Sequence, residues 1–462
     1  MVSCAVRWFL IALAACAAPK DPRDAFVVNT IAEDNYEFSL RDPALVAMKL
    51  TKMQRDPFDW LRGTAPVYWH DVTDPGTPRM PTAFGDPASS RVLLVADPHP
   101  ENLGSFRAPD GTMFMDWNDF DSSGYGPFEG DVRRLAAGLM IATRDPDAAV
   151  ETFVLDPAFD DEIAHRVATG YVAQIGELAA GMPALPVTTG AAKYFDKLIA
   201  KAIENGDANK EVNDDTAVDG DGVRYFMLGD QDPVADDGVV ETRLTAPSDI
   251  ERDRVTRALV PWLAQHADLG AIVDIARRYG SGVSSYPALR YYVLLASDRI
   301  VEVKEERDGI VIHGVPELEA AEWTTPAQRV VDAQRRLQLR RDGDTLLGAA
   351  DLSPLAFRVH DETAYQRGVN STDIGALAVD PDKRSQVPDL AEMCGRLLAR
   401  AHGVALTADG VPGWTVIMPV LGDGFGDELS ELAQADAAQT VADWQSLRTR
   451  DLAAVVIPAR SE

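Results

Sequence analysis

Residues 97–106 read DPHPENLGSF and follow directly on the apolar run VLLVA, residues 92–96. The stretch brings Asp97, His99, Pro100 and Asn102 within six residues. An aspartate and an asparagine after a strand ordinarily make turn hydrogen bonds, because their short side chains reach nearby backbone groups. The neighbouring sequence argues for more. RVLLVA (Arg91–Ala96) and TMFMDW (Thr112–Trp117) read as strands flanking the stretch, and APDG supplies a turn between them. NDFD (Asn118–Asp121) follows, and GPFEGDVRRLA (Gly126–Ala136) leads into a helical pattern with Val132, Leu135, Ala136, Leu139 and Met140 on one face.

The chain has 462 residues, of which 46% are hydrophobic and 25% charged, enough for a large core and two or three structural units. Its formal net charge of −29 argues against nucleic acid as a partner, since affinity there comes from clustered Lys and Arg. A cationic or metal-bridged ligand fits better, and a monomer is expected. The first residues combine Arg7 with an apolar run, Trp8–Ala15, too short to span a bilayer but suited to a secretory signal. The run closes on Leu-Ala-Ala-Cys16, similar to the bacterial lipoprotein box, so an exported envelope protein with lipid on Cys16 is expected, the lipid being its only membrane contact. A plain signal peptide is the alternative. With Cys4 removed and Cys16 blocked, Cys394 is a lone thiol, and the seven histidines show no H-E-x-x-H spacing.

Further along, helices are expected at Asp160–Leu178, Ala191–Glu204 and Asp249–His266, the last opened by a Ser248–Glu251 capping box and kinked or shortened by Pro261. The acidic segment Asn205–Gly222 lacks calcium-loop spacing and reads as a mobile loop. From Ala271 the pattern becomes strand, glycine-bearing turn, strand, tight turn at Ser297–Arg299, strand. A helix capped by Thr325, with Pro326 and Gln328, comes next, then strand candidates TLLGAA and LAFRVH. A final helix spans Leu390–His402, with Met393, Leu397, Leu398 and Ala401 on its buried face.

The spacing of Asp97, His99, Pro100 and Asn102 resembles the catalytic loop of aminoglycoside phosphotransferases and related kinases, H-G-D-x-H-P-x-N followed by I-D-W. MDW supplies Asp116, and Asp131 matches the aspartate that braces that loop in G-D-P-x-x-D-L-A. By this resemblance Asp97 is the base, His99 belongs to the catalytic loop, and Asn102 with Asp116 binds magnesium. Asp116 is favoured because it sits on the strand end matching I-D-W; Asp119, followed by Phe120, is the alternative counterpart of the D-F-G aspartate, and Asp119 or Asp121 a possible second metal ligand. Gly280 and Gly282, in the turn Tyr279–Gly282, and Lys304, in Val301–Lys304, resemble the kinase glycine loop and V-A-I-K, the lysine holding ATP phosphates. Asp332 and Glu322 are the candidate acids for pairing Lys304.

In ordinary kinases the glycine loop and lysine precede the catalytic loop. Here they follow it, and the helix that leads into the loop ends the series at His402, so a circular permutation is implied. The expected fold is α+β, two-lobed and protein-kinase-like. Residues 1–25 form the signal and anchor, 26–268 a helical lobe bearing the catalytic loop, 269–361 a small antiparallel-sheet lobe that holds nucleotide, and 362–462 a hinge and helices completing the large lobe. Trp60–Gly63, Asp97–Gly104, Met115–Asp121 and Leu398–His402 also resemble the blocks F-x-R-G, G-D-x-H-x-x-N-F-G, F-D-x-N-D-F-D-E and L-A-x-A-H of the bacterial family called domain of unknown function 2252. Ala96, Leu103 and Ser122 depart from that pattern. The implied activity is ATP- and magnesium-dependent phosphoryl transfer to an unknown hydroxyl acceptor, small molecule or protein. The alternatives are a noncatalytic ligand-binding envelope lipoprotein on the same scaffold, and nucleotidyl transfer.

Overall fold

A computed structural model describes residues 21–73, 82–85, 91–206, 210–229, 237–240, 242–310, 322–363 and 365–458. The expected signal sequence and Cys16 lie outside them. The architecture is mixed α+β, a large helical assembly joined to an antiparallel sheet.

The strands are β1 (Arg91–Leu94), β2 (Leu103–Arg107), β3 (Met113–Trp117), β4 (Gly124–Pro127), β5 (Thr216–Val218), β6 (Arg224–Phe226), β7 (Arg243–Thr245), β8 (Ile272–Tyr279), β9 (Arg290–Leu295), β10 (Ile300–Glu306), β11 (Gly348–Leu352) and β12 (Leu355–Asp361). Six of them form one sheet in the order β11-β12-β10-β9-β8-β7. Alternation explains its two faces. Tyr291, Val293 and Leu295 of β9, Val301 and Val303 of β10, and Phe357 and Val359 of β12 pack against Val255, Ala258, Leu259 and Trp262 of the Asp249–Gln265 helix. The residues between them turn the other way: Glu302 and Arg358 are charged, whereas Tyr292 and Leu294 of β9 belong to a second, smaller apolar cluster. Ser248 and Glu251 make the expected capping box, but Pro261 lies inside the helix without ending it.

The sheet unit begins earlier than residue 269. β7 pairs with β8, the Asp249–Gln265 helix covers the sheet, and Val212 and Phe226 pack on Ala276, Tyr292, Leu294 and Ile300. The acidic segment expected as a loop therefore contains a short helix, Lys210–Asp215, and β5, which pairs with β6 just beyond it. Its few apolar residues suffice because they meet an apolar patch of the sheet that is remote in sequence.

The helical assembly is centred on Phe128–Ala142, all of whose residues are buried, including Asp131, Arg133 and Arg134. Around it lie Pro157–Ala179, Gln386–Val404 and Phe425–Leu447, each contributing to one apolar cluster. The first helices pack with the last: Val27, Ile31 and Trp60 share a cluster with Trp444, Leu452 and Val456, and Arg23 bridges Asp71 and Asp443 at 2.6 and 2.5 Å. No described helix is long and apolar enough to cross a membrane.

Pro157–Ala179 and Gln386–Val404 cross backbone to backbone because each places a glycine at the contact. A Cβ on Gly395 would run into the Val167 carbonyl, and one on Gly170 into that of Glu392. Gly176, in the same helix as Gly170, faces open space. Gly395→Ala is therefore expected to destabilise the protein by about 1–3 kcal/mol through overpacking, whereas Gly176→Ala should stabilise it by about 0.5–1 kcal/mol through helix propensity. Urea unfolding of the two variants checks the opposite signs.

Candidate functional site

β1 ends at Leu94, and the chain turns through Val95 and Ala96 into Asp97. Asp131, from the first turn of the central helix, accepts hydrogen bonds from the Val95 and Ala96 amides at 2.9 and 3.2 Å. His402 Nε2 stands 3.0 Å from the same carboxylate oxygen, and its Nδ1 2.8 Å from the Tyr171 hydroxyl. This buried Tyr171–His402–Asp131 chain holds the turn from beneath, with the Trp69 indole bonding the Ala96 carbonyl at 2.6 Å. Ala96 is forced to φ 64°, the left-handed region, where glycine is at ease and an L side chain is strained.

Asp97 is buried. Its Oδ1 accepts from Arg134 Nε at 2.7 Å, and Arg134 Nη2 stands 2.5 Å from the same oxygen while bonding the Leu61 carbonyl at 2.9 Å. Burial pushes the Asp97 carboxyl up to about 6 despite Arg134. His99 Nε2 is 3.9 Å from Asp97 Oδ2, its ring stands edge-on to Phe58, and burial followed by Arg62 and Arg134 holds it well below the usual imidazole range. Asn102 closes a single 3₁₀ turn, Pro100–Asn102, and its amide nitrogen donates to the Asp97 carbonyl at 2.9 Å. From there the stretch itself becomes β2 and pairs with β3, while β1 pairs with β4; the APDG turn thus joins β2 to β3.

Asp116 lies fully buried on β3, 2.5 Å from Arg400 Nη2, and accepts from the Trp117 and Leu339 amides at 2.9 and 3.2 Å. It does not line the cleft. Asp116 is expected among the metal ligands; the structure turns it toward Arg400 of the Gln386–Val404 helix, and Asp119, three residues on, lines the cleft beside Asn102 and Asn118. Burial and then Asp121 raise the Asp119 carboxyl; for Asp121, burial is overcome by Lys304 and Arg358, which hold it low.

Lys304 is 2% exposed and pairs with Asp121 across the cleft. The expected acids are elsewhere. Asp332 accepts from the Trp323 indole at 3.0 Å and pairs with Arg336, which also holds Glu322 at 2.7 Å; neither acid joins Lys304. The Pro326–Leu337 helix instead sends Arg329 to the carbonyls of Asp121 and Ser123. Gly280 and Gly282 both take positive φ, 80° and 77°, in the long β8–β9 turn. Gly282 lines the cleft, and residues 282–285 close a small cavity of about 50 Å³ over Asp97, Asp119 and Asp121. Gly280 stays behind, its carbonyl held by Thr242 at 3.2 Å.

The cleft itself measures about 860 Å³. One wall is the side of the six-stranded sheet that carries Arg290, Lys304 and Arg358, the other carries Asn102, Asn118 and Asp119, and Glu362, Thr363 and Gln366–Gly368 form its edge. Arg62 reaches in from the Pro57–Gly63 helix, paired with Glu101 at 2.9 Å. Of the candidates that sequence spacing singled out, Asn102, Asp119, Gly282 and Lys304 line the cleft, Asp97 and His99 line the small cavity beside it, and Asp116, Asp332 and Gly280 line neither.

A family model described as "Uncharacterized protein conserved in bacteria (DUF2252)" matches residues 41–450, nearly the whole of the chain. The chain belongs to the DUF2252 family. No curated protein and no solved structure matches it. The match takes in both walls of the cleft of this DUF2252 protein.

Arg134, Arg290, Arg358 and Arg400 are site residues that spacing did not reveal. The only signal for Arg134 was its place three residues after Asp131, one helical turn on. At Ala96, returning to the glycine of the motif removes left-handed strain of about 1–2 kcal/mol against a chain-entropy cost of about 0.4–1 kcal/mol. Ala96→Gly is therefore expected to raise stability by the difference and to raise the thermal midpoint in calorimetry.

Proposed function

We propose that the cleft performs metal-dependent phosphoryl transfer from ATP to a hydroxyl acceptor, on a kinase-like arrangement of two lobes whose segments follow one another in circularly permuted order. The observation that carries this reading is the contact between Lys304 and Asp121, 183 residues apart, next to Asp119 and Asn102. A lysine from a sheet and a carboxylate–amide set from the loop opposite are what phosphoryl transfer needs, because its catalysis is mostly positioning and charge neutralisation.

Asn102, Asp119 and Asp121 fit a hard divalent cation. All three offer oxygen, and Oδ1 of Asp121 is buried without a hydrogen bond. Bound magnesium would supply neutralisation of phosphate charge at this point. Lys304, held as a cation by Asp119 and Asp121 against the effect of burial, contributes further positive charge. Asp97 orients the acceptor hydroxyl and takes its proton. Arg134 occupies Oδ1, which leaves Oδ2 for that task, and a carboxyl that titrates near 6 is ionised at neutral pH yet basic enough to accept a proton. The same arginine is the observation that favours noncatalytic ligand binding, since it satisfies Asp97 without a substrate.

Magnesium-dependent ATP binding, followed by calorimetry, and slow ATP hydrolysis separate the roles. Asp97→Asn is expected to bind normally and to lose about 10²- to 10⁴-fold in rate. Asp119→Asn should lose metal-dependent binding. Asp116→Asn should lower stability and leave metal affinity intact, because its charge answers Arg400. ATP binding by the wild-type chain that does not depend on magnesium, or no ATP binding at all, would remove the reading. A second prediction concerns pH: kcat/KM should rise through about pH 6 as the Asp97 carboxyl loses its proton, and fall below it, since only the ionised form accepts a proton.

A further inference from the structure

Lys304 does not stand alone on its sheet. In the antiparallel register it lies directly opposite Arg290 of β9 on one side and Arg358 of β12 on the other. All three line the cleft. Neighbouring strands are about 4.8 Å apart, so the three cations form a row about 10 Å long, running across the strands. Like charges directly opposite each other destabilise a sheet. A fold with no ligand for them gains nothing from such a row.

The carboxylates nearby hold the row in place without cancelling it. Glu302 takes Arg278 at 2.8 Å and Arg290 at 3.0 Å, and Asp121 takes Lys304 from the opposite wall. Glu306 stands 3.3 Å from Arg358, and burial and then Asp121 raise its carboxyl. Arg358, 6% exposed, keeps its Nε without a hydrogen bond. This side of the sheet thus sets Arg278, Arg290, Lys304 and Arg358 against Glu302, Glu306 and Glu362, a positive surplus in a chain of net charge −29. Guanidinium forks match phosphate oxygens in geometry and charge.

The row of this face beside the cations offers no bed for a heterocyclic base; the apolar patch beyond it, Ala276, Tyr292, Leu294 and Ile300, is filled by Val212 and Phe226, and Phe106, Met227 and Leu244 line the cleft elsewhere. The next row along the strands is Tyr292–Glu302–His360. Glu302, 2% exposed, is held there by Arg278, Arg290 and, at 2.9 Å, His360. The Tyr292 ring is covered by Arg278 at 4.8 Å. A base bound by burial needs apolar surface on its faces. Placed against this row, it would desolvate an ion cluster instead.

We infer that the cleft reads the phosphate chain of its ligand and not the base: the ligand class is a magnesium-bound oligophosphate, with nucleoside triphosphates and inorganic tripolyphosphate accepted alike. This rests on the phosphoryl-transfer reading of the same site. Calorimetric titration of the wild-type chain with the magnesium complexes of ATP, GTP and tripolyphosphate, and with adenosine, tests it without any variant. Affinities for the three phosphates are expected to agree within about threefold, a difference of about 0.7 kcal/mol or less, and adenosine should not compete. Arg290→Gln and Arg358→Gln, checked for folding by thermal melts, should each weaken ATP and tripolyphosphate equally, by about tenfold, the loss of one charge-assisted hydrogen bond. ATP binding more than about tenfold tighter than GTP or tripolyphosphate, or displacement of ATP by adenosine, would overturn base-independence and leave phosphoryl transfer standing. Absence of magnesium-dependent binding of both ATP and tripolyphosphate overturns the two together.

Discussion

The ion pair between Lys304 and Asp121 ties the two walls of the cleft together. One partner comes from β10 in the sheet, the other from the loop after β3 in the helical assembly, and both are largely out of water. A buried ion pair gains little over apolar packing, but losing one partner leaves a charge that the interior cannot solvate. The pair therefore constrains where the sheet sits against the loop. Arg329 strengthens the constraint from the side, its guanidinium joining the carbonyls of Asp121, Ser123 and Arg307.

The loop that faces the sheet is built by the same kind of interaction, repeated inward. Asp97 answers Arg134, Asp131 answers His402, and Asp116 answers Arg400. Asp97–Arg134 and Asp116–Arg400 each join the β1–β4 region to a helix, Asp131–His402 joins two helices beneath it, and each partner is buried. The helices carry these charges only because neighbouring helices close over them with apolar side chains, which is why glycines at the crossing of Pro157–Ala179 and Gln386–Val404 matter to the site. Close backbone approach brings Arg400 and His402 up to the floor of the loop. Packing in the helical core and geometry in the cleft are in this sense one problem.

Much of the scaffold was legible in the sequence. The strand, tight turn at Ser297–Arg299 and strand pattern marked β9 and β10, which pair across that turn. Proline, threonine and serine caps marked the helices that begin at Pro326 and Asp249. Asp97, His99, Asn102 and Asp119 were legible as a group because they lie within 23 residues, where spacing alone brings side chains together. The segment 205–222 was not, since its helix and the hairpin that β5 opens depend on Ala276, Tyr292 and Ile300, which no local pattern announces.

What the sequence by itself determined was most of the element types, the acid- and amide-bearing loop after β1 and the family, each of which rests on local periodicity and spacing. The tertiary structure alone decided which acids face the cleft. Asp116 and Asp119 are three residues apart and chemically equivalent, yet one meets Arg400 and the other the cleft, because β3 and the loop after it present them to different neighbours. The same holds for the partner of Lys304: Asp332 is drawn to Arg336 one helical turn away, and Asp121 arrives from across the cavity. Strand register, finally, sets Arg290, Lys304 and Arg358 in one row, although 68 residues separate the first from the last. Charges at such distances along the chain are ordered only by hydrogen-bonded pairing of strands, a constraint that acts through space and leaves no mark in local spacing.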